Sequence, residues 1–269
     1  MDSSSLLDRA VSASVKRTIL LTWDVEEFDA AADFGAPPLP DGGLARGVEI
    51  WRLWLETSAR WKAPGTVFIT ARMAEAAPSL LQETQARGYE IASHGWNHQA
   101  GADLRLGESR TLLSQMSGRE VLGFRSPRLR PVPFAEVAAA GYRYDASSNP
   151  AIVPGRYCRS GEKRKPHREG SLWKVPASVL PVVRFPLFWA SFHVLPLPLY
   201  LAACRLLLAW DGLVTLYFHP WELADLPEKQ MPRWIRRRSR QRRIERMEAL
   251  VRMLGELGEF RTIAGYLRI

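Results

Sequence analysis

The ten residues Thr18–Glu27, TILLTWDVEE, place an uncharged, apolar and β-branched run directly before a cluster of carboxylates. Such a run fits a buried strand, because branched side chains pack well on a pleated surface and nothing in it needs solvation. Shorter runs of the same kind follow: GTVFIT (Gly65–Thr70), YEIAS (Tyr89–Ser93), LGFRS (Leu122–Ser126), GYRYDAS (Gly141–Ser147), SLWKV (Ser171–Val175), LVTLYF (Leu213–Phe218) and FRTI (Phe260–Ile263). Helical patterns lie between them. Apolar residues recur at helical intervals over Val48–Trp61, Pro78 suits the first turn of a helix closed by Gly88, and another helix is expected over Pro133–Ala140. Seven or eight strands alternating with helices predict an α/β fold with a parallel sheet, closed as a (β/α)7–8 barrel. Residues 1–17 read as an N-terminal extension and 18–269 as a single domain, with Gly155–Gly170 its most loop-like insertion.

The chemistry follows from where the polar residues fall. In such barrels the C-terminal ends of the strands form one rim. Here DVEE, SHGWNH, RSP, DASS and HPWE each end a strand, so five polar clusters converge on that rim. His94 and His98 are four residues apart, a separation that puts two rings on one face of a helical turn where they can share a metal. In an extended chain Asp24 and Glu26 point the same way and supply carboxylates beside them. Two imidazoles, one carboxylate and an open position describe a catalytic metal site, for which zinc is the first expectation and Co2+, Ni2+, Mn2+ or Fe2+ suit the same ligands. Trp23, Trp96 and Trp221 adjoin these motifs and offer flat faces to a sugar ring, with core packing the competing use of each. His167 and His193 lie outside the motifs and read as a loop-surface and a packed histidine. No nucleophile elbow is present, so covalent serine catalysis is not expected.

Composition narrows the partners. A hydrophobic fraction of 46% with 24% charged residues excludes a disordered chain. Cys158 and Cys204 stand far apart and form no CxxC pair, against a disulfide framework or thiolate zinc site. The net charge of +9 is concentrated in RWIRRRSRQRRIER (Arg233–Arg246), which runs into Ile244, Met247, Val251 and Leu254 at helical spacing. That pattern is an amphipathic helix with arginines on its wet side, suited to an anionic membrane surface or phosphate-bearing substrate and not to nucleic acid, for which no motif accompanies the charge. Val179–Trp210 is rich in apolar residues but broken by four prolines, which favours buried core or an interfacial element over a membrane span. The opening MDSSSLLDRAVSASVKR lacks the apolar region of a secretory signal, so a cytoplasmic location is expected; together with the basic helix and the Pro-broken apolar segment this favours a place peripheral to the inner membrane.

The stretches TWDVEE, GTVFIT, GYEIASHGWNH, GFRSP, GYRYDAS and LYFHPWE, in that order and at about that spacing, resemble the polysaccharide deacetylase family and its NodB homology domain. The resemblance is nearest to the subgroup with a DVE-type first motif and a terminal HPWE, found in exopolysaccharide export systems. It implies a distorted (β/α)7–8 barrel of the NodB type. It also implies roles: Asp24 as catalytic base, Glu26, His94 and His98 as metal ligands, Arg125 orienting the base and His219 as general acid. Adjacent aspartates are commoner in the first motif, so Glu27 competes with Glu26 as ligand. The family's partner for the acid histidine has no clear counterpart, leaving Asp145 and Glu222 as candidates. The implied activity is metal-dependent removal of N-acetyl groups from amino sugars of a polysaccharide or lipid-linked saccharide. A deformylase, an O-acetyl esterase on a related sugar, or an inactive glycan-binding homologue are the alternatives.

Overall fold

β1 (Thr18–Val25) is buried along its whole length and forms the middle of the molecule, a computed structural model that describes residues 17–153 and 157–269. Its alternation separates two cores. Ile19, Leu21, Trp23 and Val25 face the helices that wrap the sheet, whereas Leu20 joins Phe68, Ala92, Tyr144 and Val175 in a smaller core inside the curl. Asp24 continues the inward row at the rim.

β1 is flanked by β2 (Thr66–Ile69) on one side and β10 (Leu213–Phe218) on the other, all parallel. The sheet continues from β2 through β3 (Glu90–Ser93), β4 (Gly123–Phe124), β5 (Tyr144–Asp145) and β9 (Leu172–Lys174), again parallel, with β8 (His167–Glu169) antiparallel at the edge. The expected α/β fold is therefore present as a curled sheet of mostly parallel strands. Its closure is irregular: no strand pair joins β9 to β10 among the described residues. Past β9 the chain stays extended, Ser178 N donates to Thr215 O at 3.0 Å, and Thr215 N donates to Ser178 Oγ at 2.8 Å.

Several expected boundaries shift. The first helix spans Leu44–Ser58 and so starts earlier than Val48. At Gly47 a Cβ would lie 2.7 Å from the carbonyl oxygen of Glu26, so this helix presses on the backbone just after β1. Pro78 does open the helix Pro78–Ala86, and Gly88 follows it with φ 86°. Of FRTI only Phe260 is in a strand, β11 (Glu259–Phe260) against β1; Thr262 instead caps a helix over Ile263–Leu267 that plugs the lower end of the curl. The insertion expected as loop carries β8 and β7 (Tyr157–Cys158), the latter paired with β6 (Ile152–Val153). The apolar stretch after Val179 forms a β-bridged turn and the helices Trp189–Val194 and Leu197–Asp211. Among the described residues no helix is long and apolar enough to cross a membrane. The leader reading concerns residues 1–16, outside the described part.

Candidate active site

β3 delivers the first histidine. Ala92 faces the inner core, so His94, two residues on, points inward at the rim, and its backbone N–H still bonds Ile69 O at 2.9 Å. His98 is not on a helical turn, as the spacing had suggested. Residues 94–98 are a loop, turned at Gly95 with φ 77°, a conformation glycine adopts without steric cost. The loop carries the His98 ring back beside the His94 ring, nearly parallel, with centroids 5.6 Å apart.

Glu26 reaches between them. Its Oε2 lies 3.2 Å from His94 Nε2 and 3.1 Å from His98 Nε2, and all three residues are buried. The outward nitrogens are already engaged: His94 Nδ1 meets Arg125 O at 2.8 Å and His98 Nδ1 meets Asp29 Oδ1 at 2.7 Å. A ring nitrogen that donates to a carbonyl or carboxylate leaves the other bare toward the centre, which is how a metal-binding histidine is prepared. Burial holds His94 below its ordinary pKa, hence neutral. Burial pushes Glu26 up to about 8, with Asp24 and Asp29 adding to the rise against the pull of His98. A carboxyl forced neutral between two bare imidazole nitrogens is a set of donors lacking positive charge, and the group fits a divalent cation.

Glu27 is spoken for elsewhere. Its Oε2 accepts the backbone N–H of His98 at 3.1 Å and the hydroxyl of Thr70 at 3.1 Å, tying the histidine loop to β1 and β2. Asp24 sits on the other side of the cluster. Arg125 Nη1 donates to its Oδ1 at 2.6 Å and to Thr22 Oγ1 at 2.8 Å, while the guanidinium lies over the Phe68 ring. Burial alone would raise Asp24; Arg125, with His94 and His219 adding to its pull, outweighs burial and the pKa is lowered. His219, at the end of β10, brings Nε2 within 3.9 Å of Asp24 Oδ2 and 4.0 Å of Glu26 Oε1. The six residues of the expected centre thus come together from β1, β3, β4 and β10.

His219 Nδ1 bonds Glu222 Oε1 at 3.1 Å, and the same oxygen accepts the His219 backbone N–H at 2.6 Å. Of the two sequence candidates for this partner, Asp145 is excluded: it pairs with Lys174 at 2.6 Å and binds Ser147. The three tryptophans do not form a sugar platform. Trp23 is fully buried against Trp54, Trp61 and Phe218, because it lies on the helix-facing side of β1. Trp96 is covered by the Arg105 guanidinium at 3.6 Å. Trp221, 4% exposed, stacks on the His219 ring. His167 lines a separate cavity of about 330 Å3 with Asp145 and Lys174. Sequence reasoning missed Asp29 and Arg128, which grips Asp29 Oδ2 at 2.9 Å; the only signal was one more acid after DVEE.

This constellation gathers two imidazoles and a carboxylate that could hold a metal, an arginine-paired aspartate and a third histidine at one rim of a curled α/β sheet. The family model described as polysaccharide deacetylase matches residues 13–131, a stretch that holds Asp24, Glu26, His94, His98 and Arg125 but not His219. A search of curated proteins gives no match. Among solved structures, the chain resembles a Mycobacterium smegmatis protein assigned as a polysaccharide deacetylase (19% identity, 91% of this chain and 85% of that one, TM-score 0.55). It also resembles the Puue allantoinase (17%, 96% and 91%, TM-score 0.61) and the 4-alpha-glucanotransferase of Thermococcus litoralis (14%, 94% and 40%, TM-score 0.63). At these identities the likeness is one of fold, and the three activities differ. Over residues 13–131 the chain is thus similar to polysaccharide deacetylases, and over most of its length it shares the fold of a solved structure assigned to them.

Proposed function

We propose that the protein is a metal-dependent deacetylase that removes N-acetyl groups from amino sugars of a polysaccharide or lipid-linked saccharide, in the DVE/HPWE subgroup tied to exopolysaccharide export. The observation that carries this reading is the buried Glu26–His94–His98 group with Asp24 and His219 on its flanks. A divalent cation, zinc first, would be held by those three side chains and would supply Lewis-acid polarisation of the acyl oxygen and acidification of water. Asp24, kept ionised by Arg125, takes the proton from the attacking water. His219 rests neutral, since burial pushes it down to about 3. Asp24 Oδ2 lies 3.9 Å from Nε2, a gap that one bridging water spans to pass the proton on; the Glu222 carboxyl behind the ring then stabilises the imidazolium, which protonates the departing amine. Positioned acid and base groups of this kind contribute about 10²–10⁴-fold each.

Purified protein is expected to hold about one divalent cation per chain and to release acetate from N-acetylated glucosamine oligomers. His94→Ala is expected to lose both. Equal metal in the two proteins would sink the site assignment, and release of formate or of ester-linked acetate alone would move the activity to a deformylase or O-acetyl esterase.

A second part of the reading concerns location. The outer face of the helix Leu197–Asp211 presents Leu199, Leu206 and Trp210, 58%, 45% and 64% exposed. Arginines flank the start of this helix: Arg237 and Arg246 donate to the carbonyls of Val194 and Leu195. Apolar exposure beside fixed cations suits the anionic cytoplasmic face of an inner membrane, where a lipid-linked saccharide would be presented. Co-sedimentation with phosphatidylglycerol vesicles, absent with phosphatidylcholine and weakened in a Leu199→Ser, Trp210→Ser double variant, is the expected result. Equal binding to both vesicle types would remove the charge argument.

A further inference from the structure

The acid histidine has a backing that extends well past Glu222. His193, on the helix Trp189–Val194, is 1% exposed and places Nε2 2.8 Å from Glu222 Oε2, the oxygen that His219 does not use. Glu222, itself fully buried, therefore has a histidine on each oxygen and the His219 backbone N–H besides. His193 Nδ1 finds no hydrogen-bond partner among the described residues. Burial pushes Glu222 above the ordinary carboxylate range, so its ionised form requires N–H donors on both oxygens; the Nε2–H tautomer of His193 supplies the one on Oε2.

The arginine-rich segment holds this chain of contacts from outside. Arg238 Nη1 and Arg237 Nη2 donate to His193 O at 2.6 and 3.1 Å, at the C-terminal end of a helix where cations are favoured. Arg243 is 2% exposed, donating from Nε to Glu222 O at 2.7 Å and from Nη2 to Ala224 O. These guanidiniums are fastened to the two backbone positions that carry His193 and Glu222. Arg243 is buried and Arg238 half-buried, so only Arg237 of the three belongs to the solvated basic face that the sequence pattern suggested.

We propose that His193 and Glu222 are positioning residues that fix the ring plane and tautomer of His219, with Nδ1–H toward Glu222 and Nε2 toward Asp24, and that Arg237, Arg238 and Arg243 latch this relay in place. The proposal rests on the deacetylase reading for its kinetic consequence, but not for its geometry. A carboxylate behind a catalytic imidazole sets which nitrogen is bare, and the wrong tautomer disables the ring without moving it.

Two measurements test it. In metal-free wild-type protein labelled with 15N-histidine, assigned through single His variants, His219 is expected as the Nδ1–H tautomer and His193 as the Nε2–H tautomer. Finding His219 protonated on Nε2 would overturn the relay whatever the enzyme acts on. In turnover, His193→Leu is expected to lower kcat by about 10- to 100-fold, with KM within about twofold and metal content unchanged, while His193→Gln, which keeps an N–H donor, recovers most of the loss. Full kcat in His193→Leu, or no recovery in a folded His193→Gln, would leave His193 a packing residue only. If wild type released no acetate from any sugar, the proposed function would fall and the tautomer measurement would still decide the relay.

Discussion

Asp24 and Arg125 show how much one pair of side chains decides. Asp24 is buried, and the guanidinium 2.6 Å away is the largest of the charges that draw its carboxyl toward the ionised form against that burial. Because the folded pKa lies below the ordinary carboxylate value, the pair contributes stability above that value and loses it as pH falls through the lowered one. Arg125→Met would strand a buried carboxylate, costing about 3–5 kcal/mol at pH 7. The carboxyl then rises instead of falling, so the deficit shrinks in acid. Urea unfolding of the metal-free variant at pH 7 and pH 4 reads this difference, and an equal deficit at both would show that packing on Phe68, not charge, is what Arg125 supplies. At this scale the motif residues were legible in the sequence because each sits at the end of an apolar run. Trp23 was misjudged as a sugar contact for a reason of period: beside an inward Asp24, its neighbour in a strand must point outward.

The element that prepares the proposed metal site is the loop His94–His98. No regular hydrogen bonding positions His98; its backbone is held by the Glu27 carboxylate, and its ring by Asp29. Glu27→Gln is expected to keep the ligands yet weaken cation binding by about 10- to 100-fold, as outer-shell changes do, whereas Glu26→Gln should lose the cation outright. Competition with a chelator separates the two, and the reverse order would make Glu27 the ligand. The choice between the adjacent glutamates could not be made from the sequence. It depends on which face of the chain each occupies once β1 has ended, and there the alternation that guides a strand no longer applies.

For the whole molecule the decisive feature is where the curl closes. The seam between the chain past β9 and β10 rests on Ser178 and Thr215, two residues with no special mark in the sequence. Ser178→Ala would leave the buried Thr215 N–H without its acceptor, costing about 1–3 kcal/mol; the expected sign is lower resistance to urea and faster hydrogen exchange at Thr215. Unchanged exchange there would place the closure elsewhere. The same distance in sequence hid the relay behind His219: His193 and Glu222 are 29 residues apart and belong to different elements. By itself the sequence determined the succession of strands and helices that makes a mostly parallel α/β sheet, the rim on which its polar clusters meet and the residue types of the proposed metal site, because alternation and helical period are local properties that a chain carries in any context. Only the tertiary structure decided which glutamate faces the histidines, which side chains meet His98 and His219, how the curl closes and that Arg243 is buried against the Glu222 and Ala224 carbonyls, because each of these depends on partners far apart in sequence that burial forces to satisfy one another.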